Sequence, residues 1–280
     1  MKIISIARLR TRRAAFAAVL VSAAVAFPLA FVPASGAAAS IAAGPRPTIV
    51  LVHGAYADGS SWDAVVSRLQ RDGYTVDVPP NPLEGLSYDS ATLRDYLDTI
   101  SGPVILVGHS YGGSVITDAA TGDPNVKALV YVDALAPDQG QTAAQLINAV
   151  PGSCVGSANL ILVPFPGAPA GVEDAYLKPG VFGSCLANGL PASEARALAA
   201  TQRPLSTAAF TEPSGVPAWK TIPSWAVIGT ADHAIPPAEQ LTMMKAAHAH
   251  ITEIDAPHLS MIADPGAVTK IILRAVHATT

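Results

Sequence analysis

The sequence predicts an α/β protein with a mostly parallel central sheet, helices on both faces and a lid insertion at about 137–221. Three observations predict it. Short apolar runs alternate with segments of helical period. Those runs are continuous, as suits strands buried on both faces. The connections between them are short, as in strand–helix–strand units.

The elements follow in order from Thr48. "TIVLVHG" (48–54) is an apolar run ending in glycine, the first strand. "SSWDAVVSRLQRDG" (60–73) opens on a serine cap candidate, keeps apolar residues near helical spacing, and stops at Gly73. "YTVDVPP" is a second, short strand. "SYDSATLRDYLDTISG" (87–102) has a Ser or Asp cap and reads as a helix up to Gly102. "PVILVG" is the third strand, "YGGSVITDAATG" its following helix, and "VKALVYVDA" (126–134) the fourth strand.

From about Pro137 to Thr221 the alternation stops in a stretch rich in Gly, Pro, Ala and Ser. Its best helix is "SEARALAATQ" (193–202). An insertion of this size beside strand ends is expected to form a lid with few apolar runs to hold it; the plainer alternative is a surface subdomain. It carries the chain's two cysteines, Cys154 and Cys185. A disulfide between them would close a loop of roughly thirty residues and stabilise by about 3 kcal/mol; the alternative is two unpaired buried thiols. Two cysteines without histidines at ligand spacing do not make a zinc site, so no metal is expected. Alternation resumes with "SWAVIGT" (224–230), a helix "PPAEQLTMMKAAHA" (236–249) started by proline, a strand "HITEID" (250–255) and a last helix from about Asp264.

The chain of 280 residues begins differently. Lys2, Arg8, Arg10, Arg12 and Arg13 precede an apolar stretch from Ala14 to about Val32, and then "PASGAAAS". This is the layout of a secretory signal peptide over 1–40, cleaved around Ala37 to Ala43, which implies a secreted or periplasmic protein. The alternative is a membrane anchor, since the apolar stretch is nearly long enough to span a bilayer. Residues 41–280 then form one domain with a full core. Without the five leader cations, 12 Lys and Arg face 21 Asp and Glu, a net charge of about −9. An acidic surface argues against nucleic acid or anionic membrane as partner; nothing in the sequence sets the oligomeric state.

The third strand runs into Gly108-His109-Ser110-Tyr111-Gly112, a G-x-S-x-G pentapeptide between strand and helix. A sharp turn there forces the serine into a strained backbone with its hydroxyl exposed, and bare glycines at 108 and 112 relieve the crowding. A serine hydroxyl is a weak nucleophile; it needs a base, and the base an orienting acid. His258, in "DAPHLSM" after the last strand, is the candidate base. Asp232, in "GTADHAIPP" after the strand before it, is the candidate acid, with Asp133 at the end of the fourth strand its rival. The backbone N–H of Tyr111 is one oxyanion donor, and that of Ala55 in "VHGAYADGSSW" the other, with Tyr56 one residue away.

With "VHGAYADGSSW", "GHSYGG", "GTADHAIPP" and "APHLSM" in this order, residues 48–280 resemble the α/β-hydrolase fold superfamily, most closely the branch of small esterases and hydroxynitrile lyases. The resemblance implies a Ser110–His258–Asp232 triad, an acyl-enzyme intermediate, a small-molecule ester substrate and no cofactor. Hydroxynitrile lyases of this branch carry a lysine directly after the catalytic histidine; here that position is Leu259, which disfavours lyase chemistry. A serine nucleophile excludes the aspartate-nucleophile chemistry of haloalkane dehalogenases and epoxide hydrolases. The alternatives are perhydrolase- or lyase-type chemistry on the same triad, or a ligand-binding protein with a slow one.

Overall fold

A computed structural model describes residues 45–279; the expected signal peptide lies outside them. The strands β1 (Thr48–Val52), β2 (Val76–Asp77), β3 (Val104–His109) and β4 (Val126–Val132) are joined through helices α1 (Asp63–Arg71), α2 (Leu86–Leu97) and α3 (Tyr111–Ala119). Ala143–Ile147 forms α4. Next come β5 (Leu160–Val163), β6 (Asp174–Leu177), α5 (Pro179–Cys185), α6 (Ala192–Thr201), β7 (Leu205–Ser206) and α7 (Thr207–Thr211). The chain closes with β8 (Ser224–Gly229), α8 (Pro237–Ala246), β9 (His250–Ile254), α9 (Ser260–Ala263) and α10 (Pro265–Thr279). Among the described residues no helix is long and apolar enough to cross a membrane.

The main sheet has six strands in the order β2-β1-β3-β4-β8-β9, with every neighbouring pair parallel. Every residue of β3 and β8 is buried, the burial their unbroken apolar runs require. α3 packs on α2 and crosses β1, β3 and β4, while α10 packs on α1 and crosses β3, β4 and β8. Chain order runs outward from β1 in both directions, so β1 and β3 flank a switch point. Crevices at the carboxyl ends of such strands receive ligands.

Some boundaries differ from the sequence expectation. α2 stops at Leu97, where Asp98 and Ile100 close a turn, rather than running to Gly102. α3 stops at Ala119. The last helix starts at Pro265, after the separate turn α9.

The 137–221 segment differs most. It holds a second, antiparallel sheet, β5-β6-β7, with four helices around it. Its side chains also join the main core: Leu177, Phe182, Leu186 and Leu205 are all buried in one apolar cluster with the central strands. The expectation of a poorly packed lid is therefore corrected. β5 escapes sequence reading because it is an edge strand, with Ile161, Leu162 and Val163 all at least 40% exposed. β7 is two residues long. The segment is tied across by a Cys154–Cys185 disulfide, Cα–Cα 5.6 Å, with Cys185 fully buried.

Candidate active site

Ser110 lies at the end of β3 with φ 53° and ψ −123°, a strained conformation for a residue with a Cβ. It fills the first-turn cap of α3, and its carbonyl accepts from the N–H of both Gly113 and Leu135. Such a turn leaves no room beside it. A Cβ on Gly108 would lie 2.6 Å from the Gly112 carbonyl oxygen, and one on Gly112 2.6 Å from that of Val52. On the β1 side, a Cβ on Gly54 would lie 2.6 Å from the Ser110 Cβ.

His258 follows β9. Its Nε2 is 2.9 Å from the Ser110 Oγ and its Nδ1 2.8 Å from the Asp232 Oδ2. These contacts assign the neutral tautomer in which Nδ1–H donates to the carboxylate and Nε2 accepts from the hydroxyl. Burial would lower the imidazole's pKa, but the charge and hydrogen bond of Asp232, with the charge of Asp133, raise it above its ordinary value. His109, buried beside it, donates from Nε2 to the His258 carbonyl at 2.9 Å and props the loop. Burial and the neighbouring His258 hold His109 well below the usual histidine pKa, so it stays neutral.

The two aspartates are both buried and do different things. Asp232 is fully bonded. Its Oδ1 accepts from the N–H of Ala234 (2.7 Å) and Ile235 (3.0 Å), and its Oδ2 from the side-chain amide of Gln240 (2.7 Å) as well as from His258. Asp133 has no bond to His258. Its Oδ1 accepts from the Gly229 N–H at 2.7 Å and its Oδ2 from that of Ser260 at 3.3 Å. Asp133 thus ties the end of β8, which leads to Asp232, to the loop behind His258. Burial and the nearby Asp232 charge push its carboxyl up to about 7. Gln240, on α8, carries no sequence signal beyond being a glutamine eight residues after the acid, in a helix started by proline.

The N–H groups of Tyr111, Ala55 and Tyr56 all lack an acceptor within the protein, so Tyr111 is available as one oxyanion donor and either Ala55 or Tyr56 as the other. The Tyr111 side chain is anchored separately, its hydroxyl donating to the Asp89 Oδ2 at 2.7 Å. Burial pushes Asp89 up to about 6, against the lowering effect of that bond.

Two chambers meet here. The first is lined by Ser110 and His258, with Leu135, Ile147, Val155 and Phe210 among its apolar walls. The second runs past Phe182, Leu198, Leu259 and Asp58. Ala55, Tyr56 and Leu186 border both. Much of the lining comes from the 137–221 segment, and that segment also grips the acid's loop. The Cys154 N–H donates to the His233 carbonyl, Ser153 to that of Ala234, Asn188 to that of Ala231, and His233 to the Ser184 carbonyl.

A family model described as the alpha/beta hydrolase family matches residues 49–271. One stretch is 36% identical over 111 residues to a carbendazim hydrolyzing esterase of Nocardioides sp. strain SG-4G, covering 35% of this chain and 46% of that protein. Another is 34% identical over 106 residues to a pyrethroid hydrolase of Sphingobium wenxiniae, covering 34% of this chain and 38% of that protein. Each match spans less than half the length of the relative. Among solved structures, a pyrethroid hydrolase from Sphingobium faniae JZ-2 superimposes with a TM-score of 0.65 at 23% identity, over 83% of this chain and 98% of that one. Polyneuridine aldehyde esterase does so with a TM-score of 0.70 at 19% identity, over 82% and 99%. At these identities the likeness is one of fold.

Proposed function

The chain belongs to the alpha/beta hydrolase family, and from that premise we propose that it is a secreted serine hydrolase cleaving carboxylic esters. The observation that carries the reading is the continuous line from the Ser110 Oγ through the His258 ring to the Asp232 carboxylate, at 2.9 and 2.8 Å. The esterase and hydrolase names of the partial relatives support the same reaction class.

In the mechanism, His258 Nε2 takes the Ser110 proton as Oγ attacks the ester carbonyl. Asp232 fixes the ring's tautomer and favours the imidazolium that forms. The N–H groups of Tyr111 and Ala55 receive the developing oxyanion, each worth about 3 kcal/mol in the transition state. His258 then protonates the leaving alcohol, and water, deprotonated by the same nitrogen, hydrolyses the acyl-serine. Gln240 and the amides of Ala234 and Ile235 hold the acid still, so that the base needs no search for its orientation. Export is supported by the Cys154–Cys185 bridge, since such bridges persist in oxidising compartments.

A fluorophosphonate probe tests the reading. Rapid, stoichiometric labelling of Ser110, together with turnover of aryl and alkyl esters, is expected. Slow or absent labelling would instead mark a binding protein with an idle triad.

A further inference from the structure

We propose that Tyr56 is a substrate-binding residue whose phenol donates a hydrogen bond to an oxygen of the bound ester other than the one at the reacting carbonyl. The inference rests on the ester-hydrolase reading and narrows its substrate class.

Three buried tyrosines line or support the site, and two of them have a partner for their hydroxyl. Tyr111 donates to Asp89 at 2.7 Å, and Tyr131 shares a bond with Thr117 at 2.8 Å. Tyr56 is 4% exposed, and its hydroxyl meets no protein donor or acceptor. A buried polar group without a partner is costly, and native folds keep few of them. Other buried atoms share this condition, such as Trp62 Nε1, Ser114 Oγ and Ser260 Oγ, but their residues border neither chamber. Tyr56 borders both.

Its backbone points the same way. Tyr56 sits at φ 60°, in the left-handed region that a bulky aromatic residue rarely enters. Strain of this kind persists where the surroundings hold a side chain in a place that function requires. Burial also raises the phenol's pKa strongly, which keeps it protonated and therefore a donor.

In the ester-hydrolase reading the reacting oxygen is taken by main-chain N–H groups, which leaves the phenol for another acceptor. The first chamber is walled mainly by apolar side chains, the second also by Asp58, Ser60, Ser61 and Thr201, and no Lys or Arg borders either. The ligand chemistry that fits is an uncharged ester, apolar on the side that fills the first chamber, carrying a second oxygen such as an ether.

The test is a series built on pentyl pentanoate, with one ether oxygen replacing a methylene at each successive position of the acyl and alcohol chains. Binding is read by calorimetry on Ser110→Ala and on Ser110→Ala/Tyr56→Phe, so that turnover is not needed. For at least one ether position, the preference for the ether over the parent ester is expected to fall about tenfold when the phenol is lost. A uniform effect across the series, no effect, or no binding by any member overturns the proposal. Tyr56→Phe alone should leave Tm unchanged or raise it; a fall of several degrees would mean that the hydroxyl has a structural partner, and also overturns it. The parent reading fails separately, if wild-type Ser110 is not labelled by the fluorophosphonate.

Discussion

The parallel sheet and the 137–221 segment solve the same problem, burying apolar surface around Ser110, in opposite ways. The sheet does it with continuous strands whose ends hold Ser110, Asp133 and the loops of Asp232 and His258. The segment does it with short, irregular pieces, a three-stranded antiparallel sheet and one covalent bridge. The first arrangement brings Ser110, His258 and Asp232 within hydrogen-bond reach of one another. The second shapes walls. The contrast teaches that chemistry and selectivity are held by different forces in this molecule, although both draw on one core.

The largest expected effect lies wholly on the sheet's side. Ser110→Ala should reduce ester hydrolysis by about 10⁵-fold or more while leaving Tm nearly unchanged, because only one hydroxyl and its bond to His258 are lost. Near-wild-type turnover in a preparation free of other esterases would end the division of labour drawn above. Asp232→Asn comes next, at about 10⁴-fold in kcat. The amide NH2 would stand either against His258 and Gln240, which both donate to Oδ2, or against the Ala234 and Ile235 N–H groups, which both donate to Oδ1. Steady-state kinetics of this variant beside Asp133→Asn sharpen the point, since greater damage from the second would transfer the acid's role to β4.

Breaking the bridge probes the other region. The double variant Cys154→Ala/Cys185→Ala should raise KM several-fold and shift chain-length preference, because Leu186, next to Cys185, borders both chambers. It should also lower Tm, as the chain-entropy contribution of such a loop is about 3 kcal/mol and the segment shares the main core. Unchanged KM and Tm together would show that packing alone holds the walls.

The smallest effect concerns pH. The base works only when neutral, and its pKa is raised, so kcat/KM should fall with acid through a midpoint above the ordinary histidine value of 6.5. Asp133 contributes to that raise; Asp133→Asn should therefore move the acid limb to lower pH and reduce kcat only modestly. A limb that stays in place would mean that the Asp133 charge is not felt at the ring.

The sheet was legible because its signals are local. A buried strand shows as an unbroken apolar run, and Ser110, Asp232 and His258 each stand where such a run meets glycine, proline or a turn. What escaped is set by tertiary proximity. Nothing near Gln240 in the chain says that it reaches back to Asp232. Asp133 was weighed as a rival acid, and its bonds to Gly229 and Ser260 exist only once β4, β8 and the last loop are side by side. β5 is an unbroken apolar run like the buried strands, yet it is exposed on both faces inside a stretch rich in Gly and Pro, and the partnerless phenol of Tyr56 is defined by what surrounds it rather than by its neighbours in sequence.

The closeness of Gly54 to Ser110 has a consequence for anyone reshaping the protein. With 2.6 Å between a Cβ at position 54 and that of the nucleophile, this wall is bare main chain, and mutagenesis there has no side chain to vary. Libraries that seek new selectivity should leave Gly54, Gly108 and Gly112 untouched and concentrate diversity on Ile147, Val155, Leu186 and Phe210 across the cavity. Heritable change in what the cavity accepts has to arrive from that side.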